Sequence, residues 1–293
     1  MSFRNETNPP RKKPGITAPR IGIALSCGGA KSLAHVGVIQ VLEENGVRVH
    51  AIAGSSMGAY IGALWAAGFD GAALADLAAE INSRRKLWKL ADITLLRRRG
   101  FVRGERLERL LERSLGDRDL ASLDIDLTII ATRLHSLERA ILREGRLVDA
   151  VRASCAMPGI FVPVRLADGH EYIDGGIVSP LPVRELRDTD KIIAVNTLPD
   201  ARSGEQSQSG VFGVTLDALS AAQMRLASQA SQRADVTLQP LSHDGHWRDY
   251  TNFAHYIELG RRAALEKLDE IKALTLPPAR SRSRGHFPLA LSS

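Results

Sequence analysis

Ser56, set in Gly54-Ser55-Ser56-Met57-Gly58, is the residue of this chain best placed by its neighbours to act as a nucleophile. The G-x-S-x-G pattern needs a strand before it and a helix after it, because only a sharp strand-to-helix turn lifts a hydroxyl clear of a sheet edge. Both are legible here. Val49, Ala51, Ile52 and Ala53 predict a short buried strand, and the run Ala59 to Ala67 predicts a helix. Gly54 and Gly58 suit a turn with strained dihedrals and close backbone approach. Ser56 then falls near a helix N-terminus, where backbone amides favour developing negative charge. Alone the pattern is weak, since a serine at such a turn often does no more than cap the helix.

A serine hydroxyl also needs a base to take its proton and donors to hold an oxyanion. Gly28 and Gly29, in the loop Cys27-Gly28-Gly29-Ala30, follow a predicted first strand, Ile21 to Ser26. In a parallel sheet that strand would neighbour the Ser56 strand, and both loops would emerge at the carboxyl edge, where ligands bind. The loop lacks the G-K-[ST] ending of a nucleotide P-loop and a full G-x-G-x-x-G, which argues against a nucleotide. Asp174 is the best carboxylate for the base: it follows the extended pair Tyr172-Ile173 and precedes Gly175-Gly176. An aspartate opening a type I turn is the plainer reading of the same residues. His243, His246 and His255 follow Asp174 in the chain order of an α/β-hydrolase triad, which leaves a Ser-Asp-His esterase open. His35 lies inside a predicted helix, where packing is the simpler role, and Cys27 has no evident base beside it.

The elements that must position these groups alternate strand and helix. After the first strand, Lys31 to Asn45 predicts a helix with Leu33, Val36, Ile39 and Leu42 on one face, stopped by Gly46. Strand–helix–strand–helix units of this kind give parallel strands covered by helices. Further along, helices are predicted over 72–82, Glu105 to Leu115, Arg146 to Ala153, Phe212 to Ala230 and Asn252 to Leu274. Leu127 to Ala131 is a predicted strand paired with Arg139 to Leu142; Glu171 to Ile173, Lys191 to Val195 and Val236 to Leu238 also read as strands. The polar stretch Pro199 to Gly210 reads as linker.

Bulk properties exclude several classes. The net charge of +6 resides in the ends: residues 1–20 carry five basic groups against one acid, and 275–293 carry three arginines and no acid, so residues 21–274 are near −1. A single α/β domain over 21–274, between disordered basic tails at 1–20 and 275–293, is expected. No run of 18 apolar residues and no signal-peptide pattern occurs, and there are two cysteines; a cytoplasmic protein is expected. No Cys/His spacing suggests a metal site. Between residues 84 and 109, ten Lys or Arg stand against three acids, with Trp88, Leu95, Leu96 and Phe101 interleaved. That stretch fits peripheral contact with an anionic membrane, or a solvated face whose apolar residues pack inward. Nucleic acid is not expected, since aromatics are 5% of the chain and no recognition motif is present.

The ordered set LSCGGAKSLAHVGV, GSSMG, ASCAMPGIFVPV and YIDGG resembles the patatin-like phospholipase family, in particular its compact bacterial members, from about Ile21 to Ile271. The resemblance implies a three-layer α/β/α fold with a mainly parallel central sheet. It also implies hydrolysis of lipid acyl esters through an acyl-enzyme, with no metal or cofactor. It makes Ser56 the nucleophile, Asp174 the proton acceptor, and the loop Gly28, Gly29, Ala30, Lys31 the oxyanion and substrate-binding segment. Cys27 and Ser32 stand where the family pattern has glycine. Were positive φ required there, the oxyanion loop would be reshaped, and a non-catalytic lipid-binding protein retaining the fold is the corresponding alternative.

Overall fold

The computed structural model describes residues 18–80, 102–199, 210–241 and 249–277. Eight strands form one sheet: β1 (Ile21–Leu25), β2 (Ala51–Ser55), β3 (Asp126–Arg133), β4 (Arg139–Leu142), β5 (Val164–Arg165), β6 (Glu171–Asp174), β7 (Lys191–Val195) and β8 (Val236–Leu238). The path across it runs β5-β6-β3-β2-β1-β7-β8, with β4 also on β3. Strands β3, β2, β1, β7 and β8 are mutually parallel; β4, β5 and β6 run antiparallel to their neighbours. The helices are α1 (Ala34–Glu44), α2 (Met57–Ala66), α3 (Gly71–Glu80), α4 (Glu105–Leu115), α5 (Leu147–Ser154), α6 (Gly210–Ser231), α7 (Phe253–Glu266) and α8 (Leu268–Leu274).

Alternation along the central strands sorts the two faces. Ile21, Ile23 and Leu25 of β1, with Ile193 and Val195 of β7, join the main core with α1, α2, α3, α7 and α8. Ala24 and Ala194 point the other way, against Leu181, Val183 and Ala227 of α6. A strand exposes alternate residues to opposite faces, so a central strand covered by helices on both sides is apolar at every position. Sheet and flanking helices make the three-layer α/β/α architecture.

Strand β3 carries the arrangement that matters most. Its residues Ile129–Thr132 pair with β4 along one edge. On the other edge β2 pairs with β3 only as far as Ser55 opposite Ile130, and the next residue, Ala131, is opposite Asp174 of β6. Thus β6 enters, running antiparallel, where β2 turns out of the sheet. The two strand ends meet head to head, and the residues just beyond and at them are Ser56 and Asp174.

Two helices differ from their predicted form. The one expected from Lys31 opens as a 3₁₀ turn, Gly29–Leu33, before α1, because the chain leaves Gly28 and Gly29 with φ of 157° and 60° and must wind tightly. The helix expected over Asn252 to Leu274 is divided at Lys267, which sits at φ −111°, ψ 18°. No glycine or proline marks that break, so the apolar periodicity runs straight through it.

Candidate active site

Ser56 is one of three described non-glycine residues with positive φ, at 52° with ψ −124°. L-residues avoid this region, so the surroundings must hold it there. They do so by two linked hydrogen bonds. Ser56 N–H donates to Ser154 Oγ at 2.8 Å, and Ser154 Oγ donates in turn to the Ile130 carbonyl at 2.6 Å. Gly58 lets the turn lie on the end of β1: a Cβ there would stand 2.4 Å from the Leu25 carbonyl oxygen and 2.5 Å from that of Ser26. The hydroxyl of Ser56 donates to Asp174 Oδ2 at 2.6 Å.

Asp174 is buried, and every polar group on it is used. Its N–H donates to the Ala156 carbonyl at 2.9 Å, its carbonyl accepts from Thr132 Oγ1 at 2.9 Å, and Oδ1 accepts from the Gly176 N–H at 2.7 Å. Burial drives its pKa from the usual carboxylate range up to about 6, against the lowering effect of the bonds from Ser56 and Gly176. A carboxylate so placed can take a proton from the hydroxyl it touches far better than a solvated one. Gly175 is required by packing as much as by turn chemistry, since a Cβ there would stand 2.1 Å from the Ile130 carbonyl oxygen.

Gly28 and Gly29 line the same cavity as Ser56 and Asp174. Their amides donate to no acceptor among the described residues, whereas the Cys27 amide is bound to the Pro180 carbonyl at 2.8 Å. Two unpaired N–H groups from a glycine turn, lining the same cavity as the first residue of α2, Met57, are suited to an anionic oxygen. Lys31 also lines the cavity, though largely buried; Ala30 is wholly buried and is not among the lining residues.

Cys27 and Ser32 do not disturb this loop, because neither sits at positive φ. The glycine-only conformations fall on Gly28 and Gly29. Ser32 instead joins a buried hydroxyl cluster beneath the loop: its Oγ is 3.2 Å from Thr197 Oγ1, which donates to the Cys27 carbonyl at 3.2 Å and lies 3.0 Å from Ser26 Oγ. Both thiols, Cys27 and Cys155, line the cavity with pKa values pushed far up by burial and by the nearby Asp174 charge, so neither supplies a thiolate.

Neither His35 nor His255 lines the cavity. His35 is buried, its Nε2 2.9 Å from the Ser26 carbonyl oxygen and its pKa lowered to about 4 by burial; it acts as a neutral brace. His255 is exposed on α7, and His243 and His246 lie outside the described residues. Most of the basic stretch, residues 84–101, also lies outside them. In its described part Val102 and Leu107 pack inward while Arg103, Arg106 and Arg109 are exposed.

The cavity is about 350 Å³. Leu107, Leu110 and Leu111 of α4 line it, as do Leu216, Leu219 and Met224 of α6, together with Ser56 and Asp174. Three contributors escape a reading of the sequence. Ser154 lies within the ASCAMPG run, which offered a signal but no role. Thr132 sits unremarkably in an apolar strand, and Gln223 in a predicted helix.

This fold and site define a class. Residues 23–187 match the family model described as Patatin-like phospholipase, and the chain belongs to that family. It is 37% identical over 186 residues to an uncharacterised NTE family protein of Mycobacterium bovis, covering 62% of this chain and 50% of that one. It is 28% identical over 173 residues to lysophospholipase NTE1 of Saccharomyces cerevisiae, 59% of this chain and 10% of that one. The chain therefore spans about half, or much less, of these relatives' lengths. Among solved structures it is similar to VipD from Legionella pneumophila, with 14% identity, a TM-score of 0.47, and coverage of 86% of this chain and 67% of that one. No helix among the described residues is long and apolar enough to cross a membrane, and no cluster among them could hold a metal.

Proposed function

We propose that this protein is a serine acyl hydrolase that cleaves fatty-acyl esters of phospholipids or lysophospholipids through a Ser56–Asp174 dyad. The observation that carries the reading is the 2.6 Å bond from Ser56 Oγ to a buried Asp174, both lining an apolar cavity. In the first step Ser56 Oγ bonds to the ester carbonyl carbon as its proton passes to Asp174 Oδ2. The carbonyl oxygen takes the negative charge and faces the Gly28 and Gly29 amides. Collapse breaks the ester C–O bond, and Asp174 returns the proton to the departing alcohol. A water then gives a proton to Asp174 and attacks the acyl carbon. The bond to Ser56 breaks, Oγ recovers its proton and the fatty acid leaves.

The glycine-loop geometry favours this reading over a non-catalytic scaffold, because the departures at Cys27 and Ser32 fall where positive φ is not needed. The name of the yeast relative, a lysophospholipase, supports a lipid ester as substrate. Acyl length provides the test. Each buried methylene contributes about 0.8 kcal/mol, so kcat/KM for a p-nitrophenyl octanoate is expected to exceed that for the butanoate by at least about tenfold. A protein preferring the acetate would exclude a lipid acyl site.

The same proposal sets the basic stretch 84–109 against an anionic membrane surface, where its substrate would reside. Cosedimentation with vesicles rich in anionic lipid, weakening as salt is raised, is the expected result. Equal binding to neutral vesicles would rule that contact out.

A further inference from the structure

Helix α6 faces the cavity through Leu216, Leu219, Ser220, Gln223 and Met224, the three-and-four spacing of a single helical face. Gln223 interrupts this largely apolar stripe with a carboxamide. Its Nε2, Asp174 Oδ1 and Cys27 Sγ each lie 2.9 Å from the point that a Cβ on Gly176 would occupy, so no two of them are more than about 6 Å apart. Gly176 keeps that space open. The carboxamide has no hydrogen-bond partner among the described residues, so its N–H groups remain available to an oxygen in the cavity.

We propose that Gln223 donates a hydrogen bond to the oxygen that Asp174 serves: the leaving alcohol oxygen in acylation and the attacking water in deacylation. This rests on the hydrolase reading above. The two oxygens occupy one place, because deacylation is acylation run backwards with water in the alcohol's position. Asp174 Oδ1 is held by the Gly176 amide, so Oδ2 handles the proton. A water that donates to Oδ2 has two lone pairs. Fixing one of them on Gln223 Nε2 aims the other at the acyl carbon.

Gln223→Met keeps the side chain's length and removes its hydrogen bonding. A p-nitrophenyl ester acylates without needing a proton for its leaving group, so only deacylation should feel the change. The variant is expected to label with a fluorophosphonate at the wild-type rate and to release a stoichiometric burst of p-nitrophenol. Its steady-state rate should then fall about tenfold or more, with the acyl adduct accumulating in the intact mass. Gln223→Glu is expected to move the acidic limb of the pH–rate profile upward, since a second carboxylate so near opposes ionisation of Asp174. Wild-type steady-state turnover by Gln223→Met would overturn the proposal. So would labelling and turnover falling together, which would make Gln223 a wall residue. Wild-type protein that neither labels nor turns over would instead overturn the hydrolase reading, and this one with it.

Discussion

Asp174→Asn is expected to lower lipid-ester turnover by about 100- to 10,000-fold, the loss typical of removing a general base, while making the protein more resistant to heat at pH 8. The two effects share one cause. Asp174 is buried with a pKa of about 6, above the value of about 3.9 it would have in the unfolded chain. A folded pKa raised in this way favours the neutral form. Its stabilisation is complete below about pH 3.9 and is lost as pH rises through 6. At pH 8 the ionised carboxylate is therefore a net cost to the fold, which the uncharged amide removes. The difference in Tm between variant and wild type should be several degrees at pH 8 and should shrink steadily toward pH 4. Wild-type kcat/KM should rise about tenfold per pH unit below 6 and level off above it, as the base ionises. A variant that retains turnover, or a profile flat through pH 6, would remove Asp174 from the role of base.

Ser56→Ala carries the larger loss. On the proposed mechanism Ser56 Oγ forms the acyl-enzyme, so turnover should fall by about 10,000-fold or more, with fluorophosphonate labelling abolished. The fold should survive, because the bonds holding the turn come from the Ser56 backbone and Ser154 rather than from the lost hydroxyl. Removing the hydroxyl also removes a bond that lowers the Asp174 pKa, so that carboxyl should titrate still higher. Circular dichroism and a melting curve separate loss of chemistry from loss of structure. Labelling that persists in Ser56→Ala would assign the nucleophile to another residue.

Much of the frame is written locally. β1, β2 and the helices after them follow from apolar runs and glycine stops, and the turn at Ser56 follows from flanking glycines whose small size packing later demands. The division of the last helix at Lys267 is not written locally, because its cause is not a helix-breaking residue. Nor are Ser154, Thr132 and Gln223, since a serine, a threonine and a glutamine inside regular elements carry no mark of what they face.

The amino-acid sequence by itself determined the candidate chemistry: a serine on a sharp turn, an acid before two glycines, and a glycine loop after the first strand. These are local matters of backbone conformation, and short-range residue types decide them. Only the tertiary structure decided that the serine and the acid touch. Their contact depends on β2 and β6 sharing one edge of β3 in succession, at Ile130 and then at Ala131. Strand register is fixed by long-range hydrogen bonding and by burial of both faces, which no stretch of neighbouring residues encodes. The same burial that brings Asp174 to Ser56 strips it of water and raises its pKa, so partner and basicity come from a single packing event.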